Sequence, residues 1–218
     1  MDLEVILDLE QINEDFKSMS VAERILWANE KFGDKLVLTT SGGETSVVLP
    51  HLVKDAFAKN SIPENYLPHI IFVDTKYHNQ GTYEMVSKIM EMCFNVVTYG
   101  PSLSKDDIEK RYPGWQDPKS KYFEQIVEVI KLEPFRRALT ELNAAAFMSG
   151  IMRWETLQRL NAPFMEYKNG IYRIHPICDW SREQVTGYIK VNELPINNNH
   201  FDVTKGPDQS MECGIHTK

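Results

Sequence analysis

The 218-residue sequence predicts an α/β fold: a doubly wound, mostly parallel sheet with helices on both faces and a flexible C-terminal tail. Short apolar runs such as Leu36–Thr40 and His69–Val73 alternate with stretches in which apolar residues recur at helical spacing. Each run ends in small or polar residues that open a turn, Ser41-Gly42-Gly43 after the first and Asp74-Thr75 after the second. Strands that alternate with helices build a parallel sheet covered on both sides.

In chain order, Ser20-Val21-Ala22-Glu23 is a capping box, and Ile25, Leu26, Ala28 and Phe32 follow on one helical face until Gly33 closes the helix. The first strand leads through Ser41-Gly42-Gly43 into a helix expected from about Glu44, carrying Val47, Val48, His51, Leu52 and Val53. After the second strand, residues 82–92 read as helix and 95–99 as a third strand. Residues 101–119, rich in proline and turn residues, read as loop and short helix. Residues 122–142 are mostly helical with an interruption at Glu133-Pro134. Residues 145–149 form a fourth strand, and 170–174 a late strand or hairpin arm. Ser181-x-x-Gln184 caps a last helix that ends before Pro195. No internal repeat or low-complexity segment is present. Residues 1–196 are expected as one domain with an N-terminal helical extension, and 197–218, without periodicity, as a mobile tail.

A net charge of −7 without a basic tract excludes the electrostatic footprint of a nucleic-acid binder. A small anion can still find a local pocket of cations and helix N-termini. No apolar run approaches the ~20 residues that span a bilayer, and Met1-Asp2-Leu3-Glu4 lacks a signal peptide's positive start. The three cysteines, Cys93, Cys178 and Cys213, are too few and too scattered for a disulfide framework or an iron–sulfur cluster. The expectation is a reduced, cytoplasmic protein with no bound cofactor or metal.

Thr40-Ser41-Gly42-Gly43-Glu44-Thr45-Ser46 lies where a strand gives way to a helix. Two glycines permit a tight turn that brings N–H groups to an anion, and the hydroxyls and the helix N-terminus add to the site. The loop is neither a Walker A loop nor a GxGxxG fingerprint. It resembles the SGGxxS pattern of the PP-loop, or adenine nucleotide alpha-hydrolase-like, superfamily, which includes ATP pyrophosphatases, sulfurylase subunits and sulfonucleotide reductases. Thr40, Ser41, Gly42, Gly43, Thr45 and Ser46 are the candidate phosphate-binding residues.

Four further segments resemble the phosphoadenylyl-sulfate (PAPS) and adenylyl-sulfate (APS) reductases, in the same order along the chain. Asp74-Thr75-Lys76-Tyr77 is similar to their D-T-G-Y element near the adenosine, with Lys76 in place of glycine. Lys131-Leu132-Glu133-Pro134 with Arg137-Ala138-Leu139 matches K-x-E-P-x-x-R-A-L, whose lysine faces the anionic end of the nucleotide. Gly150 to Arg159 resembles G-x-R-R-x-x-S-x-x-R, keeping Arg153 and Arg159 but with Met152 at the first arginine of the pair and Glu155 where Gln is common. Glu212-Cys213-Gly214-Ile215-His216 is similar to the C-terminal E-C-G-[LI]-H, the most specific of the five motifs. The segment between Asn199 and Glu212 is shorter than in typical PAPS reductases. That, with Met152, leaves the grip on a 3′-phosphate, and so PAPS against APS, open. The lack of cluster cysteines favours the cluster-free type, which typically takes PAPS.

The resemblance implies a nucleophilic Cys213 whose thiolate attacks the sulfur of the activated sulfate, with external thioredoxin or glutaredoxin releasing sulfite, in a homodimer. His216 lies three residues on and, with Lys131, Arg153 and Arg159, would raise the thiolate fraction. Two other readings share the phosphate loop: an ATP-using adenylyltransferase or pyrophosphatase, marked by Mg²⁺-dependent pyrophosphate release, and a non-catalytic nucleotide binder. Cys93 and Cys178 read as core residues, His51 and His69 as satisfied imidazoles, and His200 as solvated tail. His78, next to the adenosine element, is a possible ligand contact. Asp179 reads as part of a structural turn near the Ser181 cap.

Overall fold

The structure is a computed structural model that describes residues 7–92, 94–205 and 215. Cys93, Cys213 and His216 lie outside the described residues. In chain order the elements are α1 (Leu9–Ser18), α2 (Val21–Phe32), β1 (Leu36–Thr40), α3 (Val48–Lys59), β2 (His69–Val73), α4 (Gln80–Met90), β3 (Val96–Tyr99), α5 (Lys105–Arg111) and α6 (Phe123–Val127). A π-helical turn (Glu128–Leu132) follows, then α7 (Glu133–Glu141), β4 (Ala146–Met148), β5 (Met165–Lys168), β6 (Ile171–Ile174) and α8 (Arg182–Val191).

The six strands are ordered β3-β2-β1-β4-β6-β5. All neighbouring pairs are parallel except β5–β6, an antiparallel hairpin turned at Asn169-Gly170, both with positive φ. Alternation along β1 sets the two layers. Leu36 and Leu38 face a core completed by α2, α3, α4 and α8. Val37, between them, faces the opposite core, where Phe135 and Ala138 of α7 pack on Ile71 and Phe147. The predicted fold class is therefore the observed one. After β1 the chain winds out through β2 and β3, then returns to place β4 on the other side of β1. The carboxyl ends of β1 and β4 thus frame a topological switch point, where open α/β sheets bind ligands.

Several boundaries differ from the sequence reading. Helix α3 begins at Val48 rather than Glu44, because residues 44–47 form turns in which Ser46 N–H donates to Gly43 O (3.2 Å) and Val48 N–H to Thr45 O (3.0 Å). Helix α1 was not anticipated, although Asp8 caps it and Leu9, Ile12 and Phe16 recur at helical spacing; only Phe16 is fully buried. The Asn13 amide exchanges two hydrogen bonds with the Met165 backbone and so covers the edge strand β5. Pro134 does not end the helix at 122–142. It occupies the first turn of α7, and the missing N–H is accommodated by the π turn before it, whose ladder closes with Glu133 N–H on Glu128 O. Residues 101–121 fold as α5 and turns around Trp115, fully buried with Ile108, Ile126 and Ile130.

Asp179 does more than shape a turn. Arg24 of α2, 3% exposed, donates to both Asp179 oxygens at 3.0 Å and to the carbonyls of Phe16 and Pro176, tying α1–α2 to the β6–α8 connection. Cys178 is a core residue, and burial pushes its thiol up to about 12. His51 is satisfied through Nδ1 and the Tyr188 hydroxyl (2.7 Å). His69 departs from expectation: its buried Nδ1 meets no partner among the described residues. No helix among the described residues is long and apolar enough to cross a membrane.

Candidate active site

A cavity of about 290 Å³ opens at the switch point. Its floor is the end of β1 and the loop after it. Gly42 holds φ +64°, and a Cβ there would stand 2.7 Å from Thr82 Cγ2 and 2.9 Å from Thr82 O, so only glycine fits. The Gly42 N–H donates to Thr40 Oγ1 (3.2 Å), and the Ser41 and Ser46 hydroxyls lie 3.5 Å apart across the loop. Helix α3 starts without a side-chain cap, so its dipole is available to an anion at the loop, although the Val48 N–H already donates to Thr45 O (3.0 Å) and Pro50 in the first turn has no N–H. Thr40, Ser41, Gly43, Thr45 and Ser46 all line the cavity. Gly42 does not: it faces Thr82 and shapes the turn.

Lys131 and Arg159 also line the cavity, with Gly150 after β4. The π turn sets Lys131 into the buried interior, 6% exposed, where its ammonium pairs with the Asp202 carboxylate and donates to Thr204 Oγ1 (3.1 Å). Burial works to raise the Asp202 carboxyl, but Lys131 and the hydrogen bonds of Lys131 and Thr204 hold it well below the usual range. Arg159 pairs with Glu155, which also accepts from the Met152 N–H (2.8 Å). Glu155 thus supplies a carboxylate to Arg159 from within the same loop.

Besides Gly42, three expected site residues lie outside the lining. Arg153 turns away: its Nε donates to Ala162 O (2.9 Å) and its guanidinium rests 5.0 Å over the Phe164 ring, because residues 160–164 pass behind the loop. Asp74 accepts from Lys76 N–H (2.8 Å) and the Tyr83 hydroxyl (2.9 Å), and Thr75, buried, accepts from Tyr77 N–H (3.3 Å). Both fasten the turn after β2. Lys76 takes φ +68°, the left-handed conformation that the glycine of the related motif adopts without strain. This turn carries His78 into the cavity wall, where its Nε2 lies 3.0 Å from Val73 O.

Sequence reasoning missed the wall formed by residues 197–205. Asn197 donates to Gly42 O (2.7 Å), the Asn79 amide bonds Asn199 O, and His200 Nδ1 lies 3.5 Å from Thr82 Oγ1. His200, Asp202 and Lys205 all line the cavity. Instead of being solvated, His200 is half-buried over Gly43, and burial lowers its pKa to about 4. No periodicity marks these residues; the D-x-T pattern of Asp202 and Thr204, which makes a local turn, was the available signal. Ser149, at the end of β4, is a further polar lining residue not anticipated, bonded to His175 Nδ1 at 2.8 Å. Beyond 205 the described chain resumes at Ile215, which lines the cavity and packs against Phe123, Val127 and Leu132.

An anion-shaped loop, a glycine turn and buried cations at the switch point of this sheet order define a PP-loop α/β protein. A sequence profile of the phosphoadenosine phosphosulfate reductase domain matches residues 35–202. The chain is similar to phosphoadenosine 5′-phosphosulfate reductases of Vibrio cholerae (30% identical, covering 87% of this chain and 72% of the relative) and of Synechococcus sp. (32%, covering 86% and 78%). Among solved structures it is similar to the phosphate complex of PAPS reductase from Candida auris, with a TM-score of 0.70, 26% identity and 87% of each chain covered. The FMN adenylyltransferase of Candida glabrata shares the fold alone, at 12% identity and a TM-score of 0.56 over 86% of this chain and 64% of that one. This chain belongs to the phosphoadenosine phosphosulfate reductase family.

Proposed function

We propose that this enzyme reduces an activated sulfate, PAPS in first place and APS as the alternative, to sulfite. The observation that carries the reading is the seating of Ile215 at the cavity. Two residues of chain span at most ~7 Å, so a cysteine two positions before Ile215 has the reach to enter the cavity. The phosphate loop, Lys131 and Arg159 would hold the nucleotide, as the order of the five motifs implies.

The Cys213 thiolate attacks the sulfonyl sulfur, the S–O bond to the phosphate breaks, and adenosine 3′,5′-bisphosphate leaves with the electron pair. Cys213 then carries an S-sulfonate. A dithiol protein of the thioredoxin or glutaredoxin class attacks the cysteine sulfur, sulfite departs, and the second thiol resolves the mixed disulfide. Lys131 and Arg159 would stabilise charge on the departing phosphate. His216 would favour the thiolate. The three scattered cysteines support a cluster-free enzyme working in a reducing cytoplasm, and the homodimer is carried over from the family alone.

The test is sulfite release from PAPS, and separately from APS, with reduced thioredoxin and glutaredoxin. Wild type is expected to release sulfite, and Cys213→Ser to bind the bisphosphate product but release none. Sulfite at the wild-type rate from the serine variant would refute the assignment. Metal-dependent pyrophosphate release from ATP would favour the adenylyltransferase reading instead.

A further inference from the structure

Each of two cations lining the cavity already has an internal counter-anion: Lys131 is paired with Asp202, and Arg159 with Glu155. The two pairs differ in what they are attached to. Glu155 sits four residues from its arginine on the same loop. Asp202 approaches from 71 residues away, on the 197–205 segment that also covers the phosphate loop.

The Asp202 carboxylate is divided between two tasks. Its Oδ1 accepts from both Thr204 N–H (2.9 Å) and Thr204 Oγ1 (2.6 Å), which fixes the turn, while Oδ2 is given to Lys131. Two residues before it, the His200 ring stands 3.3 Å from the position a Gly43 Cβ would take. Asn197, at the start of the segment, holds the carbonyl of Gly42. An anion that takes Lys131 must therefore compete with a carboxylate whose segment lies across the phosphate loop.

We propose that Asp202 is an internal competitor at Lys131 that sets a threshold every anion using that lysine must overcome, and so how much negative charge a ligand must bring to be bound. A ligand with phosphate or sulfate groups at both the loop and Lys131 gains enough to displace it. Inorganic phosphate or sulfate alone gains less and is held out. The proposal rests on the sulfonucleotide reading of this cavity and adds to it a residue that no motif of the family resemblance includes.

Displacing a buried carboxylate is a fixed penalty for every anion that uses Lys131, so its removal is uniform across such anions and absent for a neutral ligand. Calorimetric titration of the full chain and of Asp202→Asn with adenosine 3′,5′-bisphosphate, inorganic phosphate, sulfate and adenosine reads this directly. The variant is expected to bind the three anions at least about tenfold more tightly, the ratio one displaced charge contact of ~1.4 kcal/mol gives, with adenosine unchanged. Asn197→Ala, which loosens the segment without touching either charge, is expected to move anion affinity in the same direction by a smaller factor. It also guards against a fold defect in Asp202→Asn.

Anion binding that weakens or stays constant in both variants would overturn the proposal and make Asp202 a structural partner of Lys131. If that happens while wild type still forms sulfite, only the role of Asp202 falls. If the bisphosphate binds neither wild type nor variant, the role of Asp202 and the nucleotide reading fall together.

Discussion

Gly42 meets two independent constraints, a positive φ and a Thr82 backbone oxygen within contact distance of any added carbon. Gly42→Ala should cost ~1–3 kcal/mol of stability and weaken bisphosphate binding, since the turn that presents the loop would have to shift. Chemical denaturation and titration check both. His200 gives a pH signature. Its folded pKa of about 4 lies below the ordinary 6.5, so the unfolded chain binds the proton first. Its contribution to stability is complete above about 6.5 and is lost as pH falls toward 4, at most a few kcal/mol by linkage. Denaturation midpoints between pH 7 and 4 should fall less steeply in His200→Gln; equal slopes would remove His200 from the account. The two residues also differ in how they were found. A glycine pair between a strand and a helix announces its backbone geometry. A histidine among Asn198, Asn199 and Phe201 carries no period, and only the packing reveals its burial.

At the scale of elements, the strands other than β5 and the capping boxes were legible because local chemistry specifies them. The Ser20–Glu23 and Ser181–Gln184 boxes both form as read. Elements made by long-range contact were not. The π turn depends on Pro134 withholding one N–H while Ile130 and Leu132 stay buried, and the outcome, a turn widened rather than a helix broken, is decided by packing. That widened turn is what sends Lys131 inward. The Arg24–Asp179 tie is the same kind of feature, separated by 155 residues. Asp179→Asn leaves the buried guanidinium with one neutral partner in place of a carboxylate and should cost ~1–3 kcal/mol. Because the pair lies away from the cavity, bisphosphate affinity measured in the folded variant should be unchanged. A loss of affinity without a loss of stability would mean that the tie serves the site instead.

For the whole molecule, the strand order places a crevice where the phosphate loop, the π-turn lysine and the β4 loop converge, so segments far apart in the chain line one cavity. Five motifs scattered through the chain were readable as an ordered set. What could not be read was the pairing of Lys131 with Asp202, which comes from 71 residues away, or the Arg159–Glu155 pair and the turning away of Arg153, which depend on the path the loop after β4 takes. The central claim is that Cys213, close in sequence to the seated Ile215, takes the sulfonyl group from the bound nucleotide. Intact and peptide mass spectrometry of the reduced protein, incubated with PAPS or with APS and no dithiol, tests this most directly. The account predicts a gain of one SO₃ on the peptide containing Cys213, removed by reduced thioredoxin or glutaredoxin and absent from Cys213→Ser. An unmodified cysteine with both nucleotides, in a protein that binds the bisphosphate, would contradict it.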